Sequence, residues 1–122
     1  MDTRYLATDL ATASPEAIVS RLLSRAVQSA RDARGSPPGA DRTRQLKRSL
    51  DILAELRRAL DFARGGEIAF NLERLYEFAT ERLLRAGVSS APQDIDEALG
   101  ALMPIAEAFS EVAHGAREGA TP

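Results

Sequence analysis

Apolar residues recur along this chain with helical spacing in four blocks, and turn-forming residues separate the blocks. The clearest block follows Gly65-Gly66, the one Gly-Gly pair in the sequence. Placed at about 100° per residue on a helical wheel, Ile68, Leu72, Leu75, Tyr76, Ala79, Leu83 and Ala86 fall in one arc, with Phe78 at its margin. Asn71 and Arg82 sit inside that margin, between Leu75 and Phe78. Polar groups on an apolar edge are the pattern of a contact surface that stays partly wet. The two glycines are suited to the left-handed backbone that ends one helix and releases the next. Glu67 then puts a carboxylate at the positive end of the new helix. The spacing predicts a helix over residues 67–86.

The other blocks read in the same way. Ser14-Pro15-Glu16 combines a capping hydroxyl, a proline at the first helical position and an acidic first turn. The helix that follows, 15–34, gathers Ile18, Val19, Leu22, Leu23, Ala26, Val27 and Ala30 on one half of the wheel. Gly35-Ser36-Pro37-Pro38-Gly39 breaks it. A second helix is expected over 42–64, capped by Asp41, with Leu46, Leu50, Ile52, Leu53, Leu56, Ala59, Leu60 and Ala63 covering about half its circumference. That is wider than a one-sided surface helix needs. Packing on two neighbours accounts for the width, and so does one neighbour plus a groove for a partner. After Gly87 and Ser89-Ser90-Ala91, a fourth helix is expected over 92–114, with Ile95, Ala98, Leu99, Leu102, Ile105, Ala106, Phe109 and Val112 inward. Pro104 lies inside it and removes the donor for the carbonyl of Gly100, on the polar face where water can replace it.

Four amphipathic helices joined by short turns and no strand pattern predict an all-α antiparallel four-helix bundle. Residues 1–13 have no helical stripe and are expected to form a short arm carrying Tyr5, Leu6 and Leu10; 14–116 form the bundle and 117–122 a flexible tail. A chain of 122 residues fits one such domain. The formal net charge of −2 gives no reason to expect nucleic acid or an anionic membrane as partner. The chain has no cysteine, which removes disulfides, thiolate metal sites and thiol nucleophiles together. The beginning of the chain lacks an apolar segment of signal-peptide length, and no run approaches a membrane span. A cytoplasmic protein is the expectation.

Catalytic chemistry is hard to assemble from these residues. The single histidine, His114, falls near the end of the last helix, without the pocket and orienting partner that a general base needs. Glu73, Glu77 and Glu81 share a helix face, but they face away from the apolar arc and lack the Glu-x-x-His pair of metal-binding bundles. Gly65-Gly66 lacks the strand and the Lys-Ser/Thr of a phosphate-cradling loop. No metal, no cofactor and no enzymatic activity are expected. Arg42, Arg44, Lys47 and Arg48 form a basic cluster at the start of the second helix; without interleaved aromatics, and with Asp51 and Glu55 following, it reads as ordinary surface. Phe62, Phe70 and Leu84 fall on polar faces. They are either scattered exposed apolar residues or the lining of a groove for a partner helix.

The sequence also resembles the FliS family, the secretion chaperones that hold flagellin before export. The most specific stretch is G-G-E-I-A-F-N-L-E-R-L-Y-E-F at Gly65–Phe78, close to the family's G-G-E-I-A-x-N-L-x-x-L-Y-D-Y/F, and Arg82, Leu83 and Ala86 continue it. Leu50–Phe62 is similar to the family's second-helix signature, and Tyr5 with T-A-S-P at Thr12–Pro15 looks like its arm and helix start. The chain departs from the family at Leu22–Arg25, where L-Y-D-G is usual, at Gly87 in place of Asn, at Phe109 in place of Trp, and at Pro104. The resemblance implies a non-enzymatic helical bundle that binds the disordered C-terminal segment of flagellin and keeps it from polymerising before secretion. It further implies that the arm covers part of the groove until the client displaces it. On matched positions it points to Tyr5, Asn71, Tyr76 and Arg82 as partner-binding residues and to Leu50 and Leu53 as groove lining, with Tyr76 equally readable as core; Leu10 of the arm, and Leu75 and Phe78 beside Asn71 and Arg82, complete the expected partner-binding set. Further partners would be the flagellar export apparatus or a co-chaperone. The alternative is a bundle that self-associates as a homodimer, or binds another secretion component, through the same apolar margin.

Overall fold

The computed structural model describes residues 15–89 and 91–119. The expected arm with Tyr5, Leu6 and Leu10, and the Ser14 cap, lie outside the described residues. Among the described residues five helices follow one another: α1 (Pro15–Gly35), α2 (Ala40–Arg58), α3 (Phe62–Gly65), α4 (Glu67–Ser89) and α5 (Pro92–Gly119). The described residues contain no strand. The four long helices form a ring in which α1 packs on α2 and α5, and α4 packs on α5 and α2. Their directions alternate. The end of α1 meets the start of α5 through Arg34 and Asp96, 2.8 Å apart. The turn between α4 and α5 is tied by the Ser89 hydroxyl, which donates to Asp94 Oδ2 at 3.0 Å and accepts from the Ala91 amide at 3.2 Å. The architecture is the all-α antiparallel bundle that the periodicities predict, with α3 as a one-turn corner.

Side-chain size sets how closely the helices approach. Ala26, Ala30 and Ala33 of α1 and Ala79 and Ala86 of α4 are buried, and Leu23, Leu53, Leu56, Leu83, Ile95 and Leu102 fill the space between helices. At the α1–α2 contact, the fully buried Ser49 donates to the Ala26 carbonyl at 2.9 Å, so the buried hydroxyl is satisfied. Arg42 is buried as well. Its Nε donates to the carbonyls of Ala33, in the last turn of α1, and of Ser36, just after it, at 3.2 and 3.0 Å, placing a cation at the end of α1 where the helix dipole is negative.

Several boundaries differ from the sequence expectation. The second helix stops at Arg58 instead of continuing to residue 64. The Leu60 amide bonds the Arg57 carbonyl at 3.2 Å, closing a tight final turn. Asp61 then takes an extended backbone, and its carboxylate accepts from the Arg64 amide at 3.1 Å as the N-cap of α3. Aspartate competes for the backbone in this way and favours a cap over a helix interior. Asp41 does not cap α2. Gly39 does, at φ 152°, and Asp41 lies in the first turn, where it accepts from Arg44 at 2.9 Å. Gly66, at φ 51°, ends α3 and returns its amide to the Phe62 carbonyl at 3.0 Å. α4 runs past Gly87 to Ser89, and α5 runs to Gly119, with Pro104 inside it on the exposed side next to an exposed Gly100.

Candidate functional site

The polar margin of the α4 stripe becomes a defined edge in the structure. Asn71, Leu75, Phe78 and Arg82 are spaced by four, three and four residues, which stacks them along one face of α4. That face turns towards α5, because Arg82 Nε lies 3.0 Å from Glu97 Oε2 across the seam. The Arg82 guanidinium carbon sits 5.0 Å from the centroid of the Phe78 ring, within cation–π range. The buried Arg82 Nε makes no aligned hydrogen bond, so its link to Glu97 is an ion pair rather than a directed bond. Phe78 and Asn71 are exposed, and Leu75 is half-buried against the core. The edge therefore offers an apolar ring, an amide with donor and acceptor, and a cation whose present partner is a single, partly exposed carboxylate. Such a set holds a peptide by burying an apolar side chain and pairing its backbone.

The remaining sequence-predicted residues fall elsewhere. Leu53 is fully buried, and Leu50 is half-buried against the core on α2, which lies across the bundle from α5. Tyr76 is 1% exposed and one of the largest fully buried side chains. Burial pushes its phenol up to about 12. Its core reading is the one the structure displays. Tyr5 and Leu10 lie outside the described residues. Ile68, in the predicted arc, is 68% exposed, and Ala69 is buried instead. The buried arc of α4 runs through Ala69, Tyr76, Ala79, Leu83 and Ala86.

The apolar residues on polar faces also take shape. Phe62 of α3 and Phe70 of α4 are both exposed and touch, with ring centroids 4.8 Å apart and planes tilted by 46°. This pair forms a small aromatic patch at the corner. Sequence reasoning placed both rings on polar faces; their mutual contact depends on the break at Asp61, which periodicity does not show. Among the described residues no three of His, Cys, Asp and Glu are grouped to hold a metal. No helix among them is long and apolar enough to cross a membrane.

Fold and edge together define a helical-bundle module with one partly exposed edge of mixed apolar and polar side chains. Comparison with known proteins gives this class a family. The family model for flagellar protein FliS matches residues 1–116, and the chain belongs to that family of flagellar secretion chaperones. It is 30% identical over 105 residues to the flagellar secretion chaperone FliSB of Pseudomonas aeruginosa, covering 84% of this chain and 83% of the relative. It is 28% identical over 108 residues to the flagellar secretion chaperone FliS of Vibrio cholerae, covering 86% and 79%. With the flagellar secretion chaperone FliS of Salmonella typhimurium it shares 40% identity over 68 residues, 55% of this chain and 50% of the relative.

Proposed function

We propose that this protein is a cytoplasmic export chaperone that binds the disordered C-terminal segment of flagellin, prevents its premature polymerisation and keeps it competent for secretion. The observation that carries the reading is the α4 edge of Asn71, Leu75, Phe78 and Arg82, partly exposed beside the core and built within and just after the stretch that most resembles the family. A segment that folds on binding covers a large surface, while its ordering cost moderates affinity and permits release. In this reading Phe78 is the apolar anchor, Asn71 pairs the client backbone, and Arg82 is positioned by Glu97 and the Phe78 ring. The arm with Tyr5 and Leu10 serves as a removable cover.

Calorimetric titration with the C-terminal segment of flagellin from the same organism tests this. The expected result is saturable 1:1 binding with a large negative heat-capacity change. Asn71→Ala and Phe78→Ala should weaken binding roughly ten-fold each, with unfolding shifted by no more than about 1 kcal/mol, since both side chains are exposed. Arg82→Ala is a less clean probe, because it also breaks the α4–α5 ion pair. Full binding by the Asn71 and Phe78 variants would move the site away from this edge.

A second reading, self-association or binding of another secretion component, rests on the exposed Phe62–Phe70 pair. Sedimentation equilibrium of the wild-type chain and of Phe70→Ser separates the two. A dimer lost in the variant, with flagellin-segment binding absent, would favour this reading.

A further inference from the structure

Opposite the α4–α5 seam in the ring lies the seam between α1 and α2, and it opens into a cleft of about 440 Å³ lined by Arg25, Gln28, Ser29, Asp32, Arg48 and Ile52. Ser49 and Ala26 hold the two helices close beneath this seam, through the buried hydroxyl-to-carbonyl bond. From α1 comes Arg25 and from α2 comes Arg48, so each wall contributes one guanidinium. Seven other cations of the described residues have a side-chain carboxylate partner: Arg34 with Asp96, Arg44 with Asp41, Lys47 with Asp51, Arg57 with Glu77, Arg58 with Glu55, Arg82 with Glu97 and Arg85 with Glu81. No ion pair joins Arg25 or Arg48 to a carboxylate among the described residues, although Asp32 lines the same cleft. Asp32 Oδ1 instead accepts from Gln28 Nε2 at 3.0 Å. Two guanidiniums against one carboxylate leave the cleft positively charged on a chain whose net charge is −2.

The shape of the seam adds a second feature. Past Ile52 the surface continues as a shallow depression lined by Leu22, Asp51, Ile52, Ala54, Glu55 and Arg58, in which Asp51 is paired with Lys47 and Glu55 with Arg58. The two unpaired guanidiniums therefore abut a stretch whose charges are already paired and which adds Leu22, Ile52 and Ala54 as apolar lining. Guanidinium is built to receive carboxylates through two parallel hydrogen bonds, and it does so better than a point charge. We infer that the α1–α2 cleft is a second docking site, which takes an acidic segment of a protein partner, with carboxylates on Arg25 and Arg48 and an apolar side chain against Ile52 and Leu22. Because it lies across the bundle from the Asn71–Arg82 edge, such a partner and the client proposed above would be held on separate faces.

The full-length chain, labelled for amide and guanidinium resonances, tests this against an acetylated peptide of about twelve residues alternating Glu and Leu. Expected are shifts in α1 and α2 around Arg25, Gln28 and Arg48, weakened by salt as charge pairing requires. Arg25→Gln and Arg48→Gln should each weaken the interaction roughly three- to ten-fold, the range set by a partly exposed charge-assisted pair. The double Lys variant should retain part of it, which controls for damage to the fold. The inference is overturned if the same peptide with Gln in place of Glu produces equal shifts. It is also overturned if the Gln variants respond like wild type, or if inorganic phosphate reproduces the shifts while the Glu peptide produces none.

Discussion

Tyr76 shows how a single side chain separates two readings that share one helical wheel position. Its place in the α4 stripe was legible in the spacing of the apolar residues, but its depth was not, because a wheel gives direction and not distance from the surface. The structure buries it, and burial pushes the phenol up to about 12. The ordinary phenol titrates near 10, so the folded state holds this proton more tightly than the unfolded chain does. The stability tied to the neutral phenol is complete below about pH 10 and is lost as the pH rises towards 12. Absorbance titration of the phenolate should therefore show Tyr76 ionising late, together with loss of helical signal; early ionisation in an intact fold would put the ring at the surface. Arg42 illustrates the opposite case. In sequence it belongs to a basic cluster that reads as surface, and its partners, the carbonyls of Ala33 and Ser36, lie in another helix and the turn after it. No local pattern announces a tertiary cap. Arg42→Met should cost about 1–2 kcal/mol in urea unfolding, as a charge-assisted cap is lost while the aliphatic stem is kept. A change within a few tenths of a kcal/mol would mean that water replaces the guanidinium without loss.

At the scale of elements, the four long helices were legible because each carries an amphipathic stripe bounded by proline or glycine. The break between α2 and α3 was hidden. Leu60 and Ala63 continue the apolar spacing beyond Arg58, so period alone extends the helix to residue 64; the decision falls to Asp61, whose carboxylate bonds the Arg64 amide. The same corner determines where Phe62 meets Phe70, and hence why that patch could be anticipated only as two separate exposed rings. Gly66 closes the corner at φ 51°, where a side chain at Cβ meets no neighbouring atom but the backbone is unfavourable. Gly66→Ala should thus destabilise through the backbone alone, by about 1–2 kcal/mol, and unfolding in denaturant measures it. Gly65 differs, since an added Cβ would lie 2.9 Å from the Ala69 Cβ and meet the buried side of α4. A neutral Gly66→Ala would show that the α3–α4 joint relaxes to a right-handed turn without effect on the bundle.

For the whole molecule, the ring order of the helices converts sequence stripes into separate faces. Asn71, Leu75, Phe78 and Arg82 come together because they share one side of one helix, which periodicity can reveal. Leu50 and Leu53 are not brought to that edge, because α2 packs between α1 and α4 and faces away from α5. Arg25 and Arg48 meet across a seam that no single helix encodes. The two seams are opposite, and this geometry gives a prediction about linkage. A ligand that binds only the folded chain stabilises it by mass action, by about 2.7 kcal/mol at a free concentration one hundred times its dissociation constant. Saturating flagellin C-terminal segment should raise the unfolding midpoint of the wild-type chain accordingly. Asn71→Ala, at the same segment concentration, should gain about 1.4 kcal/mol less if its affinity falls ten-fold. Arg25→Gln with Arg48→Gln should gain as much as wild type, since those residues lie across the ring from the edge proposed to hold the client. Calorimetric unfolding of the three chains with and without the segment decides it. Equal stabilisation of all three would remove Asn71 from the client site. A loss confined to the arginine variant would place the client in the α1–α2 cleft, so the acidic-segment site and the client site would be one.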